Sequence, residues 1–173
     1  MGDRTTLRSL YSIKSISYCA CEFARGSVSV TDKLSPRDDR PIFMKPGHNA
    51  GDLVESASWK IVTEQRGLVE VDAHLPDHLL NPRNQLFGGF TGTYVDMISI
   101  YTVRTLFDAH SEFKWSTTVN MRIDYFAPVL GPRFLLKGEL IRDSKSTCLV
   151  ATHFTDFDGN KLVYAITTLK KTA

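Results

Sequence analysis

The clearest pattern in the chain is an alternation. Thr117, Val119, Met121, Ile123 and Tyr125 fall on one side of a period-two repeat, and Thr118, Asn120, Arg122 and Asp124 on the other, up to a stop at Ala127-Pro128. Successive side chains of an extended strand point to opposite faces, so this pattern predicts a strand with one face buried. Residues 133–142, 147–156 and 162–170 continue the reading. They are separated by Asp143-Ser144-Lys145 and by Asp158-Gly159-Asn160, the second a strong hairpin signal. Upstream, Trp59-Lys60-Ile61-Val62 and Leu68-Val69-Glu70-Val71-Asp72-Ala73 predict the two arms of a hairpin around Gln65-Arg66-Gly67.

Between these groups of strands the period changes. A polar, proline-bearing loop over residues 74–85 leads to Gly88-Gly89, which opens a proline-free run from Phe90 to about Ala109. Within it Tyr94, Ile98, Tyr101 and Thr105, and Val95, Ser99 and Thr102, recur at helical spacing. Apolar residues nearly surround the run, which predicts a helix buried on most sides and the longest in the chain. Two strands, one long helix and four antiparallel strands make an α+β arrangement, with no internal repeat and no low-complexity tract.

Composition narrows the classes. The chain has 173 residues, 42% hydrophobic and 23% charged, the balance of an ordinary folded domain long enough to bury a core without disulfide or metal staples. Cys19 and Cys21 have one residue between them and Cys148 lies far away, so neither a zinc pair nor a redox motif is expected, and reduced thiols are the plain reading. No apolar run approaches the roughly 20 residues of a membrane-spanning helix. A net charge of +2 is too small to argue for nucleic acid as a partner.

That charge is unevenly placed. Residues 1–50 carry +3 and residues 51–173 carry −1. The first segment, with Ser and Thr around Arg4, Arg8, Lys14 and Arg25, weakly resembles a mitochondrial transit peptide, although Asp3 and Glu22 depart from the acid-poor pattern. Met1-Gly2 with Thr6 fits the loose myristoylation pattern, again with an acid directly after the glycine. An ordinary N-terminal arm is the simpler expectation. Residues 34–49, with Pro36, Pro41, Pro46 and Gly47, read as an extended linker, so the expected division is an arm over 1–50 and a domain over 51–173.

The start of the long helix carries the candidate chemistry. The first backbone N–H groups of a helix lack partners within it, and glycines there let a ligand approach closely. The helix dipole adds partial positive charge, which suits an oxygen that develops negative charge during a reaction. Two turns further on, Asp96 sits among Tyr94, Val95, Met97 and Ile98. A carboxylate in such company is costly unless it is paired or functional, which makes Asp96 a candidate base or nucleophile.

At these residues the chain resembles a family. Asn81-Pro82-Arg83-Asn84-Gln85-Leu86-Phe87-Gly88-Gly89, the following residues 91–99 with Asp96, and the strand-ending Tyr125-Phe126-Ala127-Pro128 are similar to the motifs of hotdog-fold acyl-CoA thioesterases of the phenylacetate-degradation (PaaI-like) type. The likeness spans residues 55–171 and leaves the first 50 unmatched. It implies a hotdog fold, an antiparallel sheet wrapped around one long central helix. Carried over position by position, it implies that Asn81 contacts the thioester or the attacking water. It makes the Gly88 N–H the oxyanion donor and Asp96 the general base, or in some proposals the nucleophile. Thr118 takes a position that helps orient the water. The resemblance also implies that Asp96 acts across a dimer interface, on a site whose Asn81 and Gly88 come from the other subunit. The family usually has His-Gly-Gly, and Phe87 stands in the histidine's place, where it can only pack; His74 and His78 lie nearby in sequence.

Coenzyme A brings phosphates, for which Arg83, Arg122, Arg133, Arg142 and Lys145 are candidates, while an acyl chain would lie along the helix against Phe87, Gly89, Phe90, Tyr94 and Met97. The combined expectation is an acyl-CoA thioesterase of fatty acid metabolism, a homodimer or a homotetramer built as a dimer of dimers. Coenzyme A enters only as part of the substrate, and neither cofactor nor metal is expected. The expected location is cytoplasmic, or mitochondrial should the arm act as a transit peptide. A non-catalytic acyl-CoA or fatty-acyl binding protein is the alternative, made credible by Phe87. A hotdog dehydratase ranks last, because that chemistry usually wants a histidine at the helix start. A Ser-His-Asp hydrolase fails, since no GxSxG motif exists.

Overall fold

A computed structural model describes residues 47–107 and 116–171 of the chain. The N-terminal arm, Cys19, Cys21 and most of the expected linker lie outside the described residues. Six strands form one antiparallel sheet: β1 (Lys60–Gln65), β2 (Leu68–His74), β3 (Ser116–Tyr125), β4 (Arg133–Asp143), β5 (Thr147–Thr155) and β6 (Lys161–Lys171). Their order across the sheet is β1-β2-β4-β5-β6-β3, so β1 and β3 are its two edges. A short helix, α1 (Asn49–Leu53), precedes β1, and the long helix α2 (Gly88–Arg104) lies between β2 and β3 in the chain. It packs on one face of the sheet against β2, β3, β4, β5 and β6.

The predicted elements are all present, and the hydrophobic pattern explains how they assemble. Val69, Val71 and Ala73 of β2, Phe134 and Leu136 of β4, Val150 and Phe154 of β5, and Val163, Ala165 and Leu169 of β6 point to the helix side and are buried. From α2, Tyr94, Val95, Met97, Ile98, Tyr101 and Val103 meet them. The Tyr94 ring stacks on Trp59 at 5.5 Å and meets Phe134 edge-on at 5.3 Å, and Phe134 stacks on Phe154 at 5.2 Å. Helix and sheet lie close together at Gly138, where a Cβ would stand 2.2 Å from Thr102 Oγ1.

Two expectations need correction, and one element is additional to them. Residues Asn49–Leu53 form a short helix, α1, which no sequence pattern predicted. His48 caps this turn, its Nδ1 accepting from the Gly51 N–H at 3.2 Å. The long helix closes at Arg104, short of the expected Ala109. Thr105 ends it: its hydroxyl donates to the Thr102 carbonyl at 2.6 Å and accepts the Gly67 N–H at 2.6 Å, tying the helix end to the β1–β2 turn. The second correction concerns β3. Its pairing with β6 slips between Thr118 and Asn120, so Thr118 lies opposite buried Leu169, whereas Asn120 lies opposite Thr168. Val119 is the extra residue of a bulge, which reverses the alternation on one side of it. Thr118 therefore faces the helix together with Met121 and Ile123, not the outer face together with Asn120 and Arg122.

Candidate active site

The loop before α2 is fixed at several points, and this sets where the helix begins. Asn81 organises a tight turn: its Oδ1 accepts from the Arg83 N–H at 2.8 Å and the Gln85 N–H at 3.2 Å, and its own N–H donates to the Gln85 carbonyl at 2.8 Å. Asn84 takes a positive φ of 56° to close the turn. Leu86 N–H then donates to Val129 O, and Phe87 N–H to Leu79 O, each at 2.9 Å. The chain is thus held up to the residue that precedes the first glycine of the helix.

At the helix start, Phe87 occupies the N-cap position and offers no side-chain acceptor. The Phe90 N–H turns back to the Phe87 carbonyl at 2.9 Å. Among the described residues, nothing accepts from the Gly88 or Gly89 N–H. Both glycines are exposed. The Phe87 ring lies over Gly89, where a Cβ would stand 2.7 Å from its Cε1. On the other side the Tyr125 hydroxyl donates to the Gly88 carbonyl at 3.0 Å. Sequence reasoning missed that contact, because it links residues at opposite ends of a helix and an edge strand, and only the pairing of Tyr125 with Val163 brings them together.

Asp96 lies half-buried on the side of α2 that faces β3. The Thr118 hydroxyl donates to its Oδ1. The bulge at Val119 makes this contact, since unbroken alternation would turn Thr118 away from the helix. An N–H at Gly88 and a carboxylate at Asp96 are separated by eight residues of helix, about 12 Å along the axis. That is too far for both to reach one carbonyl group within a single chain. Thr118 lies on β3 and Asp96 beside it, and among the described residues β3 is an edge strand with one side of its ladder unpaired and with exposed Val119 and Tyr125.

The remaining candidates divide clearly. Asn81 has its carboxamide oxygen engaged in the turn, and its NH2 group has no hydrogen-bond partner among the described residues. Arg83 is exposed on the same turn. Tyr94 is fully buried in the core, its hydroxyl donating to the His74 carbonyl at 2.9 Å. Burial, reinforced by the nearby Glu55 carboxylate, holds that phenol well above the ordinary tyrosine range. His74 pairs with Glu55 at 2.7 Å and His78 donates to Leu53 O at 2.8 Å, so both histidines hold the segment before β1 rather than stand in for the residue replaced by Phe87. Arg133 is committed to Asp72 at 2.6 Å, and Arg122 pairs with Asp124 at 3.1 Å. No group of three His, Cys, Asp or Glu gathers as a metal site would need, and no helix is long and apolar enough to cross a membrane, among the described residues.

No family model matches this chain, and no curated protein matches it. Solved structures do. A hypothetical thioesterase from Streptococcus pneumoniae TIGR4, solved with coenzyme A, is similar with a TM-score of 0.59 and 24% identity, over 67% of this chain and 87% of its own. The protein smu.793 of Streptococcus mutans UA159, bound to acetyl-CoA, is similar with a TM-score of 0.59 and 23% identity, over 67% of this chain and 90% of its own. The PaaI protein of the Escherichia coli phenylacetic acid degradation operon is similar with a TM-score of 0.62 at 11% identity, over 73% of this chain and 86% of its own. A six-stranded antiparallel sheet with one long helix across it, shared with these structures, gives the chain the hotdog fold.

Proposed function

We propose that this protein is an acyl-CoA thioesterase that works as a homodimer, each site combining the helix start of one subunit with Asp96 of the other. The contact between Thr118 and Asp96 carries the reading. A hydroxyl that donates to one carboxylate oxygen orients the carboxylate and leaves the second oxygen to accept a proton from water. The free N–H groups of Gly88 and Gly89 support the other half of the reaction. Helix N-terminal donors stabilise an oxyanion without reorganising, and loss of one such donor typically costs about 3 kcal/mol.

In this scheme the thioester carbonyl lies at Gly88, with the NH2 group of Asn81 beside it as a donor to the thioester or to the water. Asp96 takes a proton from water as the water oxygen bonds to the carbonyl carbon. The tetrahedral oxyanion collapses, the carbon–sulfur bond breaks, and the thiolate of coenzyme A takes the proton from Asp96. Arg83, exposed on the turn before the helix, is our candidate cation for a phosphate of coenzyme A. The distance of about 12 Å between Gly88 and Asp96 along one helix is the physical reason for the dimer. Structural neighbours solved with coenzyme A and acetyl-CoA support a CoA thioester as substrate.

Phe87, 51% exposed, favours a second reading in which the same site binds acyl-CoA without turning it over. Thiol release from short, medium and long acyl-CoAs, followed with a thiol reagent, separates the two. Release by the wild-type protein at a rate proportional to its concentration fits the thioesterase. Calorimetric binding without release fits the binding protein.

A further inference from the structure

Tyr125 belongs to the strand-ending run of the resemblance but is given no role by it, yet among the described residues it makes the one side-chain hydrogen bond to the glycine peptides of the helix start. Its backbone is fixed on both sides. Tyr125 pairs with Val163 at the end of β3, and the next two N–H groups, of Phe126 and Ala127, both donate to Leu162 O at 2.9 and 3.0 Å. From this anchorage the side chain crosses to α2, where a Cβ on Gly88 would stand 3.9 Å from its ring and its hydroxyl donates to the Gly88 carbonyl at 3.0 Å.

The Gly88 carbonyl and the Gly89 N–H belong to one planar trans peptide and point in opposite directions. Whatever holds the carbonyl also aims the N–H. A hydrogen bond accepted by an amide oxygen also polarises the amide, which makes its N–H a stronger donor. Two glycines in succession have the softest backbone available, and within the helix the Gly88 carbonyl takes the Gly92 N–H, so the Tyr125 hydroxyl is a second donor that narrows the orientations of this peptide. Phe87 packs over Gly89 but has no polar atom with which to hold the peptide, and His74 and His78 are engaged elsewhere.

We infer that Tyr125 is a positioning residue of the active site: through the Gly88–Gly89 peptide it aims and strengthens the Gly89 N–H as a second oxyanion donor beside that of Gly88. The catalytic consequence rests on the thioesterase reading above, whereas the hold on the peptide does not. It also assigns the helix start its polar support in a chain where phenylalanine occupies the position before the glycines.

The test is Tyr125→Phe in the full chain, which keeps the ring and removes the hydroxyl. Labelling with [15N]glycine gives a small amide spectrum, since the chain has 11 glycines. The Gly89 amide proton is expected to move upfield in the variant while the Gly138 and Gly159 signals stay in place. With acyl-CoA, kcat is expected to fall about fivefold with KM and the melting temperature unchanged. An unmoved Gly89 signal overturns the inference, as does an unchanged kcat or a change in KM alone. Absence of turnover in the wild type overturns the thioesterase reading instead, and the Gly89 signal then still decides whether Tyr125 holds the peptide.

Discussion

Thr118 on the edge strand β3 donates its hydroxyl hydrogen to Asp96 in the middle of α2, and it does so because Val119 bulges out of the β3–β6 pairing. One inserted residue turns the threonine from the outer face of the sheet to the helix. Bulges next to functional sites often serve this purpose, re-aiming a side chain that strict alternation would send the other way.

Thr118→Ala should therefore lower kcat for thioester hydrolysis by about tenfold, the scale of a hydrogen bond to a charged group, and Thr118→Ser should retain most of it. Steady-state kinetics on both variants checks this. Equal rates for the alanine variant and the wild type would show that the hydroxyl does not orient the carboxylate.

Gly89→Ala places a Cβ 2.7 Å from the Phe87 ring. Phe87 is half exposed and can swing aside, so the stability cost should stay at about 1 kcal/mol. The displaced ring and added methyl should nonetheless crowd the helix start and lower kcat/KM. Adding Phe87→Ala to Gly89→Ala should recover the melting temperature lost by Gly89→Ala alone. Additive effects on stability would contradict the packing described here.

Gly138→Ala tests the seam between helix and sheet. Its Cβ would meet Thr102 Oγ1 at 2.2 Å and the Ile98 carbonyl at 3.2 Å, and backbone cannot step aside as a side chain can. Urea unfolding should show a loss of about 3 kcal/mol, at the upper end for overpacking. Adding Thr102→Ala should recover only part of it, because the Ile98 contact remains.

Cys148 is fully buried between β4 and β6, its thiol donating to Asp143 at 3.3 Å, and Asp143 in turn pairs with Lys171. Burial first, and then the hydrogen bond to Asp143, push the thiol up to about 11, so at pH 8 only about one molecule in a thousand carries the thiolate. Iodoacetamide at pH 8 should leave the peptide containing Cys148 unmodified in the native protein and alkylate it rapidly in urea, as mass spectrometry of the digest would reveal. Equal labelling in the two states would contradict this burial.

Much of this fold was legible in the chain because its signals are long. Alternation over β3, β4, β5 and β6, the Asp158-Gly159 turn and the helical recurrence from Tyr94 to Thr102 each involve many residues that agree. What escaped was carried by single contacts. Five residues of α1 have no periodicity to detect, and a histidine cap gives a weak signal. The bulge at Val119 leaves no mark in a run where Thr, Val and Asn are all compatible with either face. The helix end at Arg104 depends on the Thr105 hydroxyl meeting Gly67, a residue 38 positions away. Within the candidate site, Gly88-Gly89 and Asp96 stood out from their own neighbours. The hold of Tyr125 on Gly88 and the burial of Tyr94 in the core depend on strand pairing, which local pattern does not encode.

We propose Asp96 as the base for thioester hydrolysis. The most direct test is the initial rate of thiol release from saturating acyl-CoA by the wild type and by Asp96→Asn, which keeps the shape of the side chain and removes its charge. The account predicts release by the wild type and a loss of about a hundredfold or more in kcat for the variant, with an unchanged melting curve. Thiol release by Asp96→Asn as fast as by the wild type would contradict it.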